Sequence, residues 1–419
     1  MNASENQGTL YSGAWLVVAL LFPVALLNYL DRQVLAAMKD SVMDGIGDIA
    51  TEARWGMLGA VFKWSYAGLS PIGGFIADRL SKRWMIIASV GVWSAVTWAT
   101  GHVHSYEQMI WTRALMGISE AFYIPAALAL IADYHTGPTR SRAVGVHQMG
   151  IYAGMALGGF SGYVAESSHG WRAAFDWCGA FGVIYAVVLF FTLRDAPRAK
   201  QNADSLPAIS PLPALRELLA NRAFILLVLY FTLPALAGWV VKDWMPPILR
   251  KMFSLGQGTA GVSATLYVTI ASFVGVLFGG VIADAWMRAT ARGRIFTSAV
   301  GMALCIPALF GVGYAPSLPI AIACLVCFGI GWGFFDCNNM PILCQIVRPE
   351  LRATGYGIMN LVSISAGAFA TWRVGVLRDA GQPPAVIFSI CAVAAAVAVV
   401  LVLLIRPRDA KIFVPIALP

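Results

Sequence analysis

Long apolar stretches alternate with short polar ones along the whole chain, and each approaches or exceeds the roughly 20 residues that a helix needs to cross a bilayer. They predict twelve membrane-spanning helices, at 14–37, 54–77, 84–101, 107–133, 143–165, 172–193, 223–248, 259–283, 295–314, 317–346, 353–376 and 385–405. Residues 1–13 contain no Lys or Arg, and the first stretch lacks a small-residue cleavage site, so it is expected to stay as a helix. The fold class is an all-α membrane protein.

Composition excludes a soluble alternative. Of the 419 residues 59% are hydrophobic and 12% charged, against about 25% charged in a soluble domain. Cationic loops resist translocation, and of the 29 Lys and Arg residues 18 fall on one side of the predicted spans, 6 on the other and 5 within them. Both termini are therefore expected on the cytoplasmic side of a bacterial-type inner membrane. The net charge of +8 then has a topological cause and gives no reason to expect nucleic acid as a partner.

Six spans precede the longest polar stretch, 194–222, which holds Pro207, Pro211 and Pro213 and reads as a cytoplasmic linker. The expected domains are an N-terminal six-helix bundle over 1–193 and a C-terminal one over 223–419 that ends in a short cytoplasmic tail. The chain also echoes itself across this linker. The sequence GGFIAD at 73–78 returns as GGVIAD at 279–284, and Arg142-Ala143-Val144-Gly145 returns as Arg352-Ala353-Thr354-Gly355. Two six-helix repeats are the arrangement expected where alternating access works by rocking one bundle against the other.

The stretch Gly74-Phe75-Ile76-Ala77-Asp78-Arg79-Leu80-Ser81-Lys82-Arg83 resembles the loop signature of the major facilitator superfamily, and Arg113-Ala114-Leu115-Met116-Gly117 resembles its span-four signature. The resemblance covers nearly the entire chain. It implies the major facilitator fold, with twelve transmembrane helices in two six-helix bundles, and a secondary transporter rather than an enzyme. One departure is Ser81, where glycine is common. Asp78, with Arg79 and Arg83, is expected to act as a gating latch, pairing with a helix N-terminus or with Arg142 and releasing when the cytoplasmic side opens. Asp284 is its counterpart in the second repeat.

Charges inside spans cost about 2.5 to 3.5 kcal/mol each on insertion scales and so point to function. Asn28, Asp31, Arg32 and Leu35 share one sector of span one. On span four, Arg113, Gly117 and Glu120 share a face, but seven residues of rise, about 10.5 Å, keep Arg113 and Glu120 from pairing directly. With antiparallel spans, Asp31 and Arg113 reach similar depth, which makes an Asp31–Arg113 pair the expected one. Dehydration favours the neutral form of a carboxyl, so Glu120 is expected to carry the proton, with Arg113 tuning it and Asp31 as a second carrier or switch. Arg32 is then available for a substrate carboxylate. The alternative is a purely structural network that holds spans one and four together.

Asn28-Tyr29-Leu30-Asp31-Arg32, with Arg113, Gly117, Glu120, Ala121 and Pro125, is similar to the anion:cation symporter family, which carries sugar acids and other organic anions. That resemblance implies proton coupling at Asp31, Arg113 and Glu120 and anion contact at Arg32; Tyr29 of the same stretch is a further substrate-binding candidate. Spinster-like lysolipid transporters share the Asp-Arg and Glu-Ala patterns, and Tyr123 resembles them more, whereas Pro125 resembles the anion symporters. Gln148 and Tyr152, four residues apart on span five, and Asn360 on span eleven are further substrate-binding candidates. Gly150, Gly154 and Gly158 let span five approach a neighbour closely. The superfamily's antiporter signature places a Pro in this region, and 143–170 has none, which favours symport.

The seven Cys residues all fall within spans; Cys324-Leu325-Val326-Cys327 has no second CxxC and no flanking His, so no metal or redox role is expected. Neither a P-loop nor a dinucleotide fingerprint occurs, and no cofactor is implied. The five His residues supply no nucleophile–base set. The leading expectation is a monomeric, proton-coupled symporter of a small organic anion such as a sugar acid. The alternatives are a Spinster-like lysolipid or lipid exporter and, from a different class, a membrane sensor on a transporter scaffold.

Overall fold

The computed structural model describes residues 13–77, 80–135, 139–196, 211–348 and 351–407. Among them every regular element is helical: α1 Ala14–Ala37, α2 Lys39–Gly45, α3 Glu52–Ala77, α4 Lys82–Thr100, α5 Tyr106–Glu120, α6 Tyr123–Tyr134, α7 Arg140–Gly158, α8 Ser161–Glu166, α9 Gly170–Thr192, α10 Pro211–Ala220, α11 Arg222–Phe253, α12 Gln257–Ala289, α13 Gly293–Gly313, α14 Leu318–Asp336, α15 Asn339–Ile346, α16 Arg352–Asp379 and α17 Pro384–Leu404. All twelve predicted spans are present. Eight qualify as membrane spans by length and apolarity alone. The other four are built on α3, α4, α7 and α16.

Three spans are broken in two, and two of the breaks have a visible cause in the sequence. Span four breaks between α5 and α6, and span ten between α14 and α15. Pro125 and Pro341 each stand third in the second helix. Their missing N–H groups cannot bond the carbonyls of Ala121 and Cys337, so the ladder stops there. Each first half thereby ends on a carboxylate, Glu120 in one case and Asp336 in the other. Glu120 is fully buried, whereas Asp336 is exposed.

The chain forms two compact units that do not follow chain order. Unit 1 combines 1–201 with 239–269 and 367–382. Here α1 lies against α7 along the predicted glycines: a Cβ at Gly154 would overlap the Leu26 carbonyl, and one at Gly150 would come 2.7 Å from the Phe22 oxygen. Two helix starts in this unit are capped from distant segments. Asp379, the last residue of α16, accepts the Glu52 and Ala53 amides that open α3, at 2.9 and 2.8 Å. Glu166, the last residue of α8, accepts the Gln257 and Gly258 amides that open α12. Span eleven thus caps span two as span five caps span eight, the same device in each direction of the repeat.

Unit 2 holds 202–238, 270–366 and 383–419. Its α13 and α14 meet where Gly301 and Gly331 face each other's backbones, with Cys305 bonding the Phe328 carbonyl. An aromatic cluster joins Tyr230 and Phe231 of α11 to Phe335 of α14, with ring centroids 5.4 and 5.8 Å apart. The helix-end pattern of unit 1 recurs here. Arg140 at the start of α7 donates to the carbonyls of Ala132 and His135, which end α6. Arg352 at the start of α16 donates to those of Cys344 and Val347, which end α15. The structural counterpart of Arg352 is therefore Arg140, two residues before the Arg142 that the sequence echo pairs with it.

Candidate functional site

Unit 1 brings the intramembrane charges of spans one and four together around α1, α3, α4 and α5. Glu120 accepts a hydrogen bond from Arg32 Nε at 2.6 Å, with the Glu120 side chain inaccessible to solvent and that of Arg32 12% exposed. The sequence assigned Glu120 no direct partner and kept Arg32 available for a substrate; Arg32 is instead the close partner of Glu120 and is engaged by it. Three rings enclose its guanidinium, those of Tyr29 at 4.7 Å, Tyr66 at 4.7 Å and Phe62 at 5.2 Å. Arg32 Nη2 is buried and has no hydrogen-bond partner among the described residues.

Asp31 and Arg113 are each only 2% exposed and interact electrostatically, but both anchor on span three. Thr97 donates to Asp31 Oδ2 at 3.3 Å, and Arg113 Nη2 donates to Thr100 Oγ1 at 3.2 Å. Phe175 lies 5.8 Å from the Arg113 guanidinium. Sequence reading missed Thr97 and Thr100 because threonines in a span read as packing residues. Gly117 lets α5 sit against α3, since a Cβ there would overlap the Phe62 carbonyl; this close approach brings Phe62 and Tyr66 to Arg32. Tyr123, just past the break, is buried and bonds both His147 Nε2 at 2.9 Å and the Leu21 carbonyl at 3.2 Å. It ties α6 to α7 and α1.

A family profile for the Major Facilitator Superfamily matches residues 21–371. The chain belongs to the major facilitator superfamily. It is 27% identical over 389 residues to the human protein spinster homolog 1, covering 87% of this chain and 73% of that protein. In fold it is similar to a bacterial homolog of the human lysosomal transporter Spinster, solved inward-facing and unoccupied, with a TM-score of 0.74 and 21% identity over 95% of both chains. A D-xylose-proton symporter is as similar in fold, with a TM-score of 0.76 and 16% identity over 95% of this chain and 98% of that one. The facilitator is thus a multi-pass membrane transporter, not an enzyme, and its fold alone does not select a substrate. Its sequence relatives fit the Spinster-like alternative better than the sugar-acid reading.

The remaining candidates of this facilitator are more scattered. Gln148 on α7 is exposed, and Tyr152 on α7 and Asn360 on α16 are half-buried. Of the gating set, Asp78 and Arg79 lie outside the described residues. Arg83 donates through its guanidinium to the Phe190 carbonyl at 2.5 Å and through its amide to Asp195 at 2.9 Å. Ser81 also bonds Asp195 and caps α4, so the serine that departs from the signature has its own work as an anchor. Lys82 pairs with Asp133 at 2.8 Å. Arg142 is exposed in the first turn of α7, and Asp284 is exposed with Arg294 at 3.9 Å.

A second set of charges closes the end of unit 1 that holds the α1 to α3 connection. Lys39 pairs with Glu52 at 2.9 Å, Arg250 with Asp40, and Lys251 and Arg378 approach Glu52 at 3.6 and 3.9 Å. Burial, offset by Glu52, holds the Lys39 ammonium below the ordinary lysine value. Deeper in lies Lys63, in the middle of α3. It is buried and paired with Asp243.

Proposed function

We propose that this facilitator moves a lysolipid or similar single-chain anionic amphiphile across the membrane by alternating access, with protons exchanged at Glu120 and Asp31. The observation that carries the reading is the buried Arg32–Glu120 pair inside its cage of Tyr29, Phe62 and Tyr66. Protonation of the carboxylate removes the charge that attracts the arginine most strongly. Protonation of Glu120 releases Arg32, whose planar fork then binds a phosphate in bidentate fashion, while the rings pack against the apolar stem. Return of the proton to water restores the pair and expels the anion. Substrate and proton are thereby linked through one guanidinium. Asp31 and Arg113 sit beside the pair and set its charge balance.

Two further supports are the Spinster relatives and the Tyr123 pattern. Within the same proposal, both termini are cytoplasmic, the halves 1–193 and 223–419 rock about the linker, and Gln148, Tyr152 and Asn360 face the transported molecule. Asp78, Arg79, Arg83, Arg142 and Asp284 gate the cytoplasmic side, and the closed ionic end of unit 1 is the outer one. Proteoliposomes with an imposed pH gradient, offered lysophospholipids and sugar acids in parallel, test the reading. Gradient-dependent lysophospholipid movement that Arg32→Ala abolishes is the expected result. Uptake of a sugar acid with no lysophospholipid movement would return the assignment to the anion symporters.

A further inference from the structure

Lys63 lies in mid-helix on α3, 2% exposed, and its surroundings come from three spans that are far apart in sequence. Its ammonium donates to Asp243 Oδ2 of α11 at 2.5 Å, to Thr371 Oγ1 of α16 at 3.2 Å and to the Gly59 carbonyl at 3.4 Å. Thr371 in turn donates to the same Asp243 oxygen at 2.7 Å. Trp239 places its ring 4.8 Å from the ammonium, and Trp244 donates to the Thr371 carbonyl at 3.0 Å. One carboxylate oxygen therefore holds span seven to span two and span eleven at once. A cavity of about 60 Å³ separates this cluster from the central site, with Lys63, Asp243 and Thr371 on its wall together with Arg32 and Arg113. It has room for a few waters.

We infer that Lys63, Asp243 and Thr371 form the ionic lock of this end of the transporter, a gating element separate from the superfamily's loop signature and in hydrated contact with Arg32. The physical case is an asymmetry. A buried ion pair contributes little against apolar replacements of similar size, but breaking one by removing a partner leaves an uncompensated charge in a dry site. A lone Lys63 or a lone Asp243 is tolerable only where water enters. Removing one partner therefore favours the open form of this end, and replacing both by apolar groups favours the closed one. Thr371 holds Asp243 in register and is a positioning residue. The inference rests on the transporter assignment but not on the lysolipid reading, since it concerns access and not substrate.

The test uses the full chain in proteoliposomes with the native cysteines replaced and one cysteine introduced at Ala36, which lines the same cavity. Labelling of Ala36→Cys by a membrane-impermeant thiol reagent reads the opening of this end. Asp243→Asn and Lys63→Gln are each expected to raise the labelling rate about tenfold, the shift given by a tenfold change in the opening equilibrium. The exchanged pair, Lys63→Asp with Asp243→Lys, should return it to within about twofold of the parent. The apolar pair, Lys63→Met with Asp243→Leu, avoids a lone charge and serves if the single variants do not fold. It should label no faster than the parent while transport of whichever substrate the liposome screen identifies falls at least about tenfold. Unchanged labelling in both single variants, or an apolar pair that transports at the parental rate, would overturn the lock.

Discussion

Arg32 stands between two kinds of partner, one carboxylate at 2.6 Å and three aromatic rings within about 5 Å. Its planarity matters as much as its charge. Arg32→Lys keeps the cation but loses the fork and the stacking, and transport measured in proteoliposomes is expected to fall about tenfold or more, a loss of at least about 1.4 kcal/mol in transition-state terms. Glu120→Gln keeps the hydrogen-bonding shape but cannot exchange a proton. Gradient-driven accumulation should disappear, while exchange of labelled for unlabelled substrate across the membrane, which needs no net proton movement, continues. Accumulation that keeps its pH dependence in Glu120→Gln would remove the carrier role. The identities of these residues were legible in the sequence, because a charge in an apolar span stands out. Their partners were not. Asp31 and Arg113 matched in depth along their helices, but rotation about each helix axis turned Arg32 toward Glu120 and left Asp31 and Arg113 anchored to Thr97 and Thr100.

Among the elements, the two reciprocal caps give a direct comparison. Asp379 and Glu166 each complete the open amides of a helix from another span, and a lost cap costs about 1 kcal/mol. Asp379→Asn and Glu166→Gln should therefore each raise thiol labelling at Ala36→Cys about fivefold. The two factors should multiply in the double variant because the sites have no shared partner. Equal labelling of parent and double variant would show that the caps serve folding alone. Close helix contact gives another expectation. Gly154→Val on α7 would drive a side chain into the Leu26 carbonyl; such overpacking costs about 1 to 3 kcal/mol, and detergent-solubilised protein should melt several degrees lower. The glycine spacing announced that span five meets a neighbour. That the neighbour is α1, and that the repeat equates Arg140 with Arg352, came only from the carbonyls each group contacts.

At the scale of the whole molecule, the first-half spans and the second-half segments 239–269 and 367–382 belong to one compact unit. Fragments 1–200 and 205–419 expressed together are accordingly expected to assemble and transport, and neither should do so alone. Copurification of the two fragments, followed by the liposome assay, measures this. Reporter fusions at the two termini should both read out on the cytoplasmic side. What the sequence determined by itself is the count and position of the spans, the superfamily and the charged residues worth examining, since hydropathy and local motifs are properties of contiguous segments. Only the tertiary structure decided which charges meet. The Arg32–Glu120 contact joins residues 88 positions apart, and the Lys63–Asp243 contact joins residues 180 apart. Such pairings depend on the rotation and depth of separate helices, which no single segment encodes.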